Sequence, residues 1–551
     1  MLQFRSLFVL SLFGFLVFKA NGQDLTQTIR GTVFDQESQA TIEFAYIIIQ
    51  NGKPLGSTIS ENDGSFKITG IPVGRYNVMV TMVGYEPMSI PEVLVTTGKE
   101  VVLDIAMKQS VTELKEVTVK AHSRKDKPLN TMATVSAKTF TVEETRRYAG
   151  GIDDPARLVS AFAGVSVGNV SNNAIIIRGN SPKGVGWRLE GADIPNPNHF
   201  AGGNVAGGGA VTVFSSQMLS NSDFYTGAFP SEYGNAMAGV FDMKLRSGNN
   251  EKFEHTFQLG TMGIDFASEG PVGKPGGASY LFNYRYSTLG LLTKSKLIET
   301  DEIVAYQDLS FKINLPTTKA GTFSVWAIGA LDEDTKPETM DSLEWEFDVD
   351  LKKYKWTQGL FVLGLSNTLN LNKSFYLKTS VTGSGLSSIF DVEKLDDGLQ
   401  LAAYQNMANE SSKITFSSTL SGKISSRLSL RTGIIANQLN YSLRLKSLID
   451  DVPGSYTELS NELGSSYFYQ GFVSAQYNVS PGLSAVGGLH MQYFDLNKKH
   501  SIEPRLGISW TLDENQELSM GYGLHSQIEE LRVYFLKRNT QRARGVSQQR
   551  T

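Results

Sequence analysis

The chain has 551 residues, a formal charge of −4, no cysteine, 40% hydrophobic residues and 19% charged residues. That length holds several domains at about 100–200 residues each. The near-neutral balance gives no basic footprint for a nucleic-acid partner, and the missing thiols exclude disulfides, zinc–thiolate sites and cysteine nucleophiles.

At the N-terminus, Arg5 precedes the apolar run LFVLSLFGFLVF, and Ala20 and Gly22 follow. This is the layout of a secretory signal peptide, residues 1–22. The run is shorter than the roughly 20 residues that span a bilayer, and no later segment is long and apolar enough to do so as a helix. A membrane location would therefore require a β-barrel.

Residues 23–108 read as a β-sandwich. Tyr76, Val78, Val80 and Met82 alternate with Arg75, Asn77, Met79 and Thr81, and Val101, Leu103, Ile105 and Met107 continue the pattern. Period-two alternation puts one face in a core. Asn62-Asp63-Gly64 and Pro72-Val73-Gly74 read as tight turns. Residues 109–129 are a linker, basic and Pro-ended (Lys120, Arg124, Lys125, Lys127, Pro128), with the short extended run Glu116, Val117, Thr118 and Val119. A bare edge of that kind can pair with a partner strand.

Residues 130–248 read as a compact α+β unit. Thr141-x-x-Glu144 predicts a capping box. Asp154-Pro155 predicts the start of a second helix, with Leu158, Ala161 and Phe162 on its apolar face and Gly164 as its stop. Gly202, Gly203 and Gly207 to Gly209 follow no phosphate-binding layout and read as a flexible loop.

From about residue 250 the texture changes. Tyr280, Phe282, Tyr284 and Tyr286 alternate with Leu281, Asn283, Arg285 and Ser287. Leu309, Phe311, Ile313 and Leu315 alternate with Ser310, Lys312 and Asn314, and Leu506, Ile508, Trp510 and Leu512 with Arg505, Gly507, Ser509 and Thr511. Roughly a dozen such runs of about ten residues are the pattern of transmembrane barrel strands.

Two stretches carry a family resemblance. GTVFDQESQ followed by GSTISENDGSFKITGIPVGRYNVMVTMVGY resembles the carboxypeptidase-regulatory-like domain, a non-catalytic seven-stranded sandwich; residues 25–108 contain no histidine. AIIIRGNSPKGVGWRLEGADIPNP, with SEYGNAMAGVFDMKLRSGN after it, resembles the plug of TonB-dependent outer-membrane receptors in the Bacteroidetes-type domain order. The resemblance implies a mostly β chain: an N-terminal β-sandwich, an α+β plug (130–248), then a transmembrane antiparallel β-barrel (249–536) in the bacterial outer membrane. It implies Glu116 to Val119 as the box that pairs with TonB, itself driven by an inner-membrane energising complex. It implies a plug motif of Arg178, Gly179, Glu190, Gly191 and Asp193, and outer-membrane lipid as surroundings. The implied cargo is a small ligand such as an iron chelate, cobalamin, a glycan or a peptide, with a surface lipoprotein as a further partner.

Buried plug charges must be paired, so Arg178, Glu190 and Asp193 are expected to satisfy one another and the inner wall. His199 and Phe200, on the loop Asn196–Gly209, are the ligand-contact candidates, although this tip reads as flexible and solvent-exposed. The histidines show no metal-ligand spacing, and no catalytic triad or zinc signature occurs, so neither a cofactor nor an enzyme is expected. An exported surface-binding or adhesion protein is the alternative. Barrels of this family have about 22 strands, and residues 537–551 (KRNTQRARGVSQQRT) lack alternation, so an incomplete, truncated barrel with an atypical basic tail is expected.

Overall fold

The computed structural model describes residues 25–110 and 128–535, apart from 152, 170–171, 204, 261–262, 298–301, 341–342, 344, 397, 449–455 and 514–515. The leader, the Glu116–Val119 run and the basic tail lie outside the described residues.

The described chain divides into two compact units. The first holds β1 (Thr26–Asp35), β2 (Tyr46–Asn51), β3 (Lys53–Ile59), β4 (Ser65–Pro72), β5 (Gly74–Thr81), β6 (Met88–Val95) and β7 (Val101–Met107). One sheet has the order β4-β1-β7 and the other β3-β2-β5-β6. Alternate residues (Ile29, Val33, Ile47, Ile49, Val78, Val80 and Ile105) share a fully buried core, as period-two patterning requires. The turn into β4 needs Gly64: its φ is +78°, and a Cβ would stand 2.5 Å from the Val33 carbonyl oxygen.

The second unit has an inner part and a wall. The inner part comprises β8 (Ala137–Phe140), α1 (Val142–Arg147), α2 (Pro155–Leu158), β9 (Val165–Asn169), β10 (Asn172–Ile177), β11 (Val185–Leu189), β12 (Ala192–Asp193), β13 (Ser222–Tyr225) and β14 (Gly239–Met243). Its five-stranded sheet has the order β12-β11-β14-β13-β8. Trp187 stacks on Phe241 at 4.2 Å, with Phe224 against the same ring. The capping box of α1 forms as its residues dictate: Glu144 N–H donates to Thr141 Oγ1, and Thr141 N–H to the Glu144 carboxylate. Asp154 caps α2 through the Ala156 amide. That helix is only four residues long and passes into a 3-10 turn, Val159–Ala161. The expected shared face therefore does not form; Leu158 is buried but Ala161 is exposed.

The wall is one antiparallel sheet. Among the described residues it has 13 strands, from β15 (Glu254–Leu259) to β27 (Glu517–Gly523), each paired with the next, and no ladder joins the last to the first. One face meets the inner part and the other is free. On β20 (Lys352–Asn370) the free face presents Leu365, Leu363 and Phe361, about half exposed, and then turns polar at Thr357, Lys355 and Lys353. On β24 (Tyr456–Ser480) exposed tyrosines mark both margins, Tyr477 at one end and Tyr469 and Tyr467 at the other. The ten steps from Tyr467 to Tyr477, at about 3.3 Å each on a strand tilted about 40°, rise about 25 Å. That is the height of a lipid-facing apolar band between aromatic girdles.

The central strands exceed the ten residues expected. From β20 onward, β21 (Phe375–Leu395), β22 (Leu401–Lys423), β23 (Leu428–Leu448) and β24 run to between 19 and 25 residues. Beyond the band their outward residues need not be apolar: β23 continues as Gln438, Asn440, Ser442 and Arg444. Hydrophobic alternation registers only the part of each strand that faces lipid.

Leu363→Arg, within the band, should lower the stability of the chain folded into lipid vesicles by about 2–4 kcal/mol. Gln438→Arg, beyond it, should cost about 0–1 kcal/mol. Denaturant titration in vesicles measures both, and equal costs would remove the band from that position.

Candidate functional site

Wall and inner part meet through buried charged groups, with cations and acceptors on both sides. Arg505, on β26 (Lys499–Thr511), donates through one nitrogen to the carbonyls of Phe229, Pro230 and Tyr233, and through the other to Glu503 at 2.7 Å. Arg431 on β23 binds the Glu232 carboxylate and, at 2.8 Å, the Asn130 side-chain carbonyl. Asn130 in turn donates to Glu232 at 2.6 Å. Arg246 makes a two-pronged pair with Glu269, on β16 (Ile264–Val272), at 2.6 and 2.7 Å. Burial alone would raise the Glu232 carboxyl; Arg431, Arg188 and Asn130 outweigh it and hold the group below its ordinary value.

The β11–β12 hairpin carries the second anchor. Leu189 pairs with Ala192, and the two residues between them, Glu190 and Gly191, have φ of +54° and +88°. Two successive left-handed residues are what a tight hairpin with right-handed twist demands. The turn aims Glu190 at Lys312 on β18 (Ile303–Pro316), 3.0 Å away, and the carboxylate also accepts from the Leu245 amide at 2.7 Å. Burial pushes the Glu190 carboxyl up, yet Lys312, Lys378 and that amide hold it below the usual carboxylate range. Asp193 pairs with Arg188 at 3.1 Å, and its carbonyl accepts from Lys413 at 2.8 Å.

The third anchor is the loop after β12. His199 is fully buried between two wall carboxylates: Nδ1 lies 2.5 Å from Asp332 and Nε2 3.0 Å from Asp308. Its ring packs on Tyr306 at 4.3 Å. Arg285 of β17 (Ala278–Tyr286) grips Asp308 at 2.7 Å and the Thr212 carbonyl at 2.7 Å. Asp332 also accepts from the Phe200 amide, and Gln358 exchanges two hydrogen bonds with the Ala201 backbone. Beyond this clasp Phe200 tilts against Trp356 at 5.6 Å, and Trp356 meets Phe390 edge-on at 6.3 Å. Burial lowers the His199 pKa, but Asp332 and Asp308 reverse the balance and raise it above its ordinary value.

Residues 28–108 match the carboxypeptidase regulatory-like domain family. The chain also superposes on solved outer-membrane receptors. Pyoverdine receptor FpvA from Pseudomonas aeruginosa gives a TM-score of 0.55 at 12% identity, covering 72% of this chain and 63% of that one. Siderophore receptor PirA from Acinetobacter baumannii gives 0.52 at 14%, covering 72% and 62%. A mutant of the ferric enterobactin receptor from Pseudomonas aeruginosa gives 0.52 at 14%, covering 73% and 63%. This is the fold of a TonB-dependent outer-membrane receptor. The chain covers less than two thirds of the length of each of these receptors. No curated protein matches it in sequence.

The inner part is the unit expected as the plug, and that word is used for it below. Of its expected motif, Glu190, Gly191 and Asp193 lie together at the plug–wall contact, whereas Arg178 and Gly179 do not. Arg178 is exposed and donates to Ser136 at 2.8 Å; it satisfies neither acid. Asp193 is paired within the plug by Arg188, a residue the sequence reading passed over. The loop Asn196–Gly209 is exposed at Gly203, Val205 and Ala206, but it is buried at its two ends. His199 is enclosed, and Gly207, Gly208 and Gly209 are close-packed: a Cβ on them would stand 2.4, 2.5 and 2.3 Å from Lys183, Asn172 and Asn198. Gly207 lets the Lys183 backbone approach, and Gly208 and Gly209 make room for the Asn172 and Asn198 side chains. Among the described residues no group of histidine and acidic side chains has the makings of a metal site.

His199→Gln should cost about 3–5 kcal/mol, because buried Asp332 would lose its cationic partner and keep only the Phe200 amide, and Asp308 would keep only Arg285. The folded pKa of His199 is raised, so its stabilising contribution is complete below the ordinary 6.5 and is lost as pH rises through the raised value. Thermal melts of the detergent-solubilised chain should show stability falling as pH rises over that interval in the parent and not in the variant. Identical pH profiles would mean that the clasp carries no charged imidazole.

Proposed function

We propose that this chain is a receptor of the bacterial outer membrane that takes up a small ligand, energised through TonB at the Glu116–Val119 run. Residues 23–108 serve as a periplasmic sandwich, 130–248 as the plug and 249–536 as wall. The observation that carries the reading is the contrast between the two faces of one sheet. Its free face bears an apolar band with aromatic margins, and its other face binds a folded unit through buried ion pairs. A wall that bound lipid and enclosed nothing would need no Arg431, Arg505 or Lys312. The free edges of β15 and β27 must be paired before such a wall can face lipid, because unsatisfied backbone groups are not tolerated there.

Ligand contact is assigned to the aromatic group above the clasp, Phe200 with Trp356 and Phe390. A ligand on Phe200 touches the residue whose amide Asp332 holds beside His199, so its arrival reaches the plug's anchor directly. The box precedes the segment at which the chain enters the plug. There the Leu129 and Asn130 amides both donate to Asp223, at 2.9 and 3.0 Å.

Deleting Glu116–Val119 should abolish uptake of the ligand while leaving its binding at the cell surface unchanged. Uptake assays beside surface-binding assays decide it. Uptake surviving the deletion would favour a surface-binding protein without active transport.

A further inference from the structure

We propose that Leu439, Tyr441, Phe468 and Phe494 form a binding site for an aromatic group, which the chain's own residues Tyr534 and Phe535 occupy until a ligand displaces them. The proposal deepens the receptor reading and rests on it for the visitor, an aromatic moiety of the imported ligand. The four residues come from three neighbouring strands, β23, β24 and β25 (Leu483–Phe494). Phe468 and Phe494 are register partners, and Leu439 packs with them in one cluster.

The inner face of such a wall is ordinarily polar, and the nearby buried residues obey that rule: Asn437, Ser466, Gln470 and Gln492. An apolar island among them needs a cover. After β27 the chain leaves the wall and lies across the island as a strap. Tyr534 meets Phe494 edge-on at 5.6 Å, and Phe535 tilts against Tyr441 at 4.9 Å. Ile528 and Leu531 complete the contact. The occupants on view are two aromatic rings, one edge-on and one tilted. That geometry states the chemistry the site prefers, since aromatic pairs favour edge-on and offset approaches.

The two sides of this contact are unequally committed. The four wall residues are 2–9% exposed. The strap's helix α3 (Leu531–Tyr534) has no side-chain cap and no buried residue, and Val533 and Tyr534 are 49% and 36% exposed. Ahead of the helix, Ser526 ties the strap to the wall at Ser501, 2.9 Å away; the ties nearer the rings run to the plug: Glu529 to Lys183 at 3.1 Å, both half-exposed, Gln527 to the Lys183 carbonyl at 3.0 Å, and the Ile528 amide to Asn235 at 2.9 Å. A ligand ring that takes the island therefore also loosens the strap's hold on the plug turn Pro182–Gly184.

Saturation-transfer NMR on the purified full chain in detergent, with phenol and cyclohexanol as matched probes and empty micelles as blank, tests this. A self-occupied site binds weakly in proportion to the fraction of time it is open, so Tyr534→Ala/Phe535→Ala should bind phenol about 10-fold more tightly than the parent. Adding Phe494→Ala should return it to the parent level. Glu529→Lys loosens the strap without touching either ring and should give about a 3-fold gain, and the swap Lys183→Glu/Glu529→Lys should reverse it. No gain in either strap variant, or equal gains for phenol and cyclohexanol, overturns the site. Phenol binding with no cellular uptake would sink the transport reading and leave the site standing; uptake without phenol binding would do the reverse.

Discussion

The structure depends on burying charge between a plug and a wall. A cation removed from water costs several kcal/mol unless hydrogen bonds replace its hydration. Arg505 recovers them from three plug carbonyls and Glu503, Lys312 from Glu190 and the Leu245 carbonyl, and Arg285 from Asp308 and the Thr212 carbonyl. Each is satisfied only in one position of the plug. Such contacts add little net stability over an apolar seam, but breaking one side alone is costly. They therefore fix where the plug sits, and they leave an interface that water can resolvate if the plug moves. An apolar seam of equal area would hold the plug more firmly and release it less readily.

The fold was largely legible because strands advertise their faces. Tyr280, Phe282 and Tyr284 against Asn283 and Arg285 declared which side met lipid. Capping at Thr141 and Asp154 was equally local. Strand length beyond the band was not legible, since water on the outer face imposes no apolar period. The shortened α2 escaped for a related reason: Asp154, read as a helix cap, also holds the Thr212 amide and the Asn173 side chain, and it fixes a loop more than it launches a helix.

The site was less legible because its partners are far apart in the chain. Glu190 was named without Lys312, 122 residues away, and His199 without Asp332, 133 residues away. No local period encodes such pairs. One signal was present: Arg285, Lys312 and Arg505 stood on the lumen side of apolar strands, where a charge needs a partner. The glycine cluster misled for a different reason. Composition cannot separate a glycine that confers freedom from one that permits close packing, and Gly207 to Gly209 are of the second kind.

The anchors are not equivalent for a receptor worked from the segment before Pro128. Tension entering there meets Asp223 first, whose carboxylate holds the Leu129 and Asn130 amides together with the Thr139 and Tyr225 hydroxyls. Asn130 next bears on Glu232 and Arg431, which joins the plug to β23. The His199 clasp is held by other wall strands, through Asp332 and Asp308, and shares no residue with this path. Under the mechanism proposed above, a pull at the entry segment would load the Arg431 anchor while the clasp still held, and a ligand on Phe200 would act on the clasp instead. Two anchors with separate partners would then make passage depend on both events.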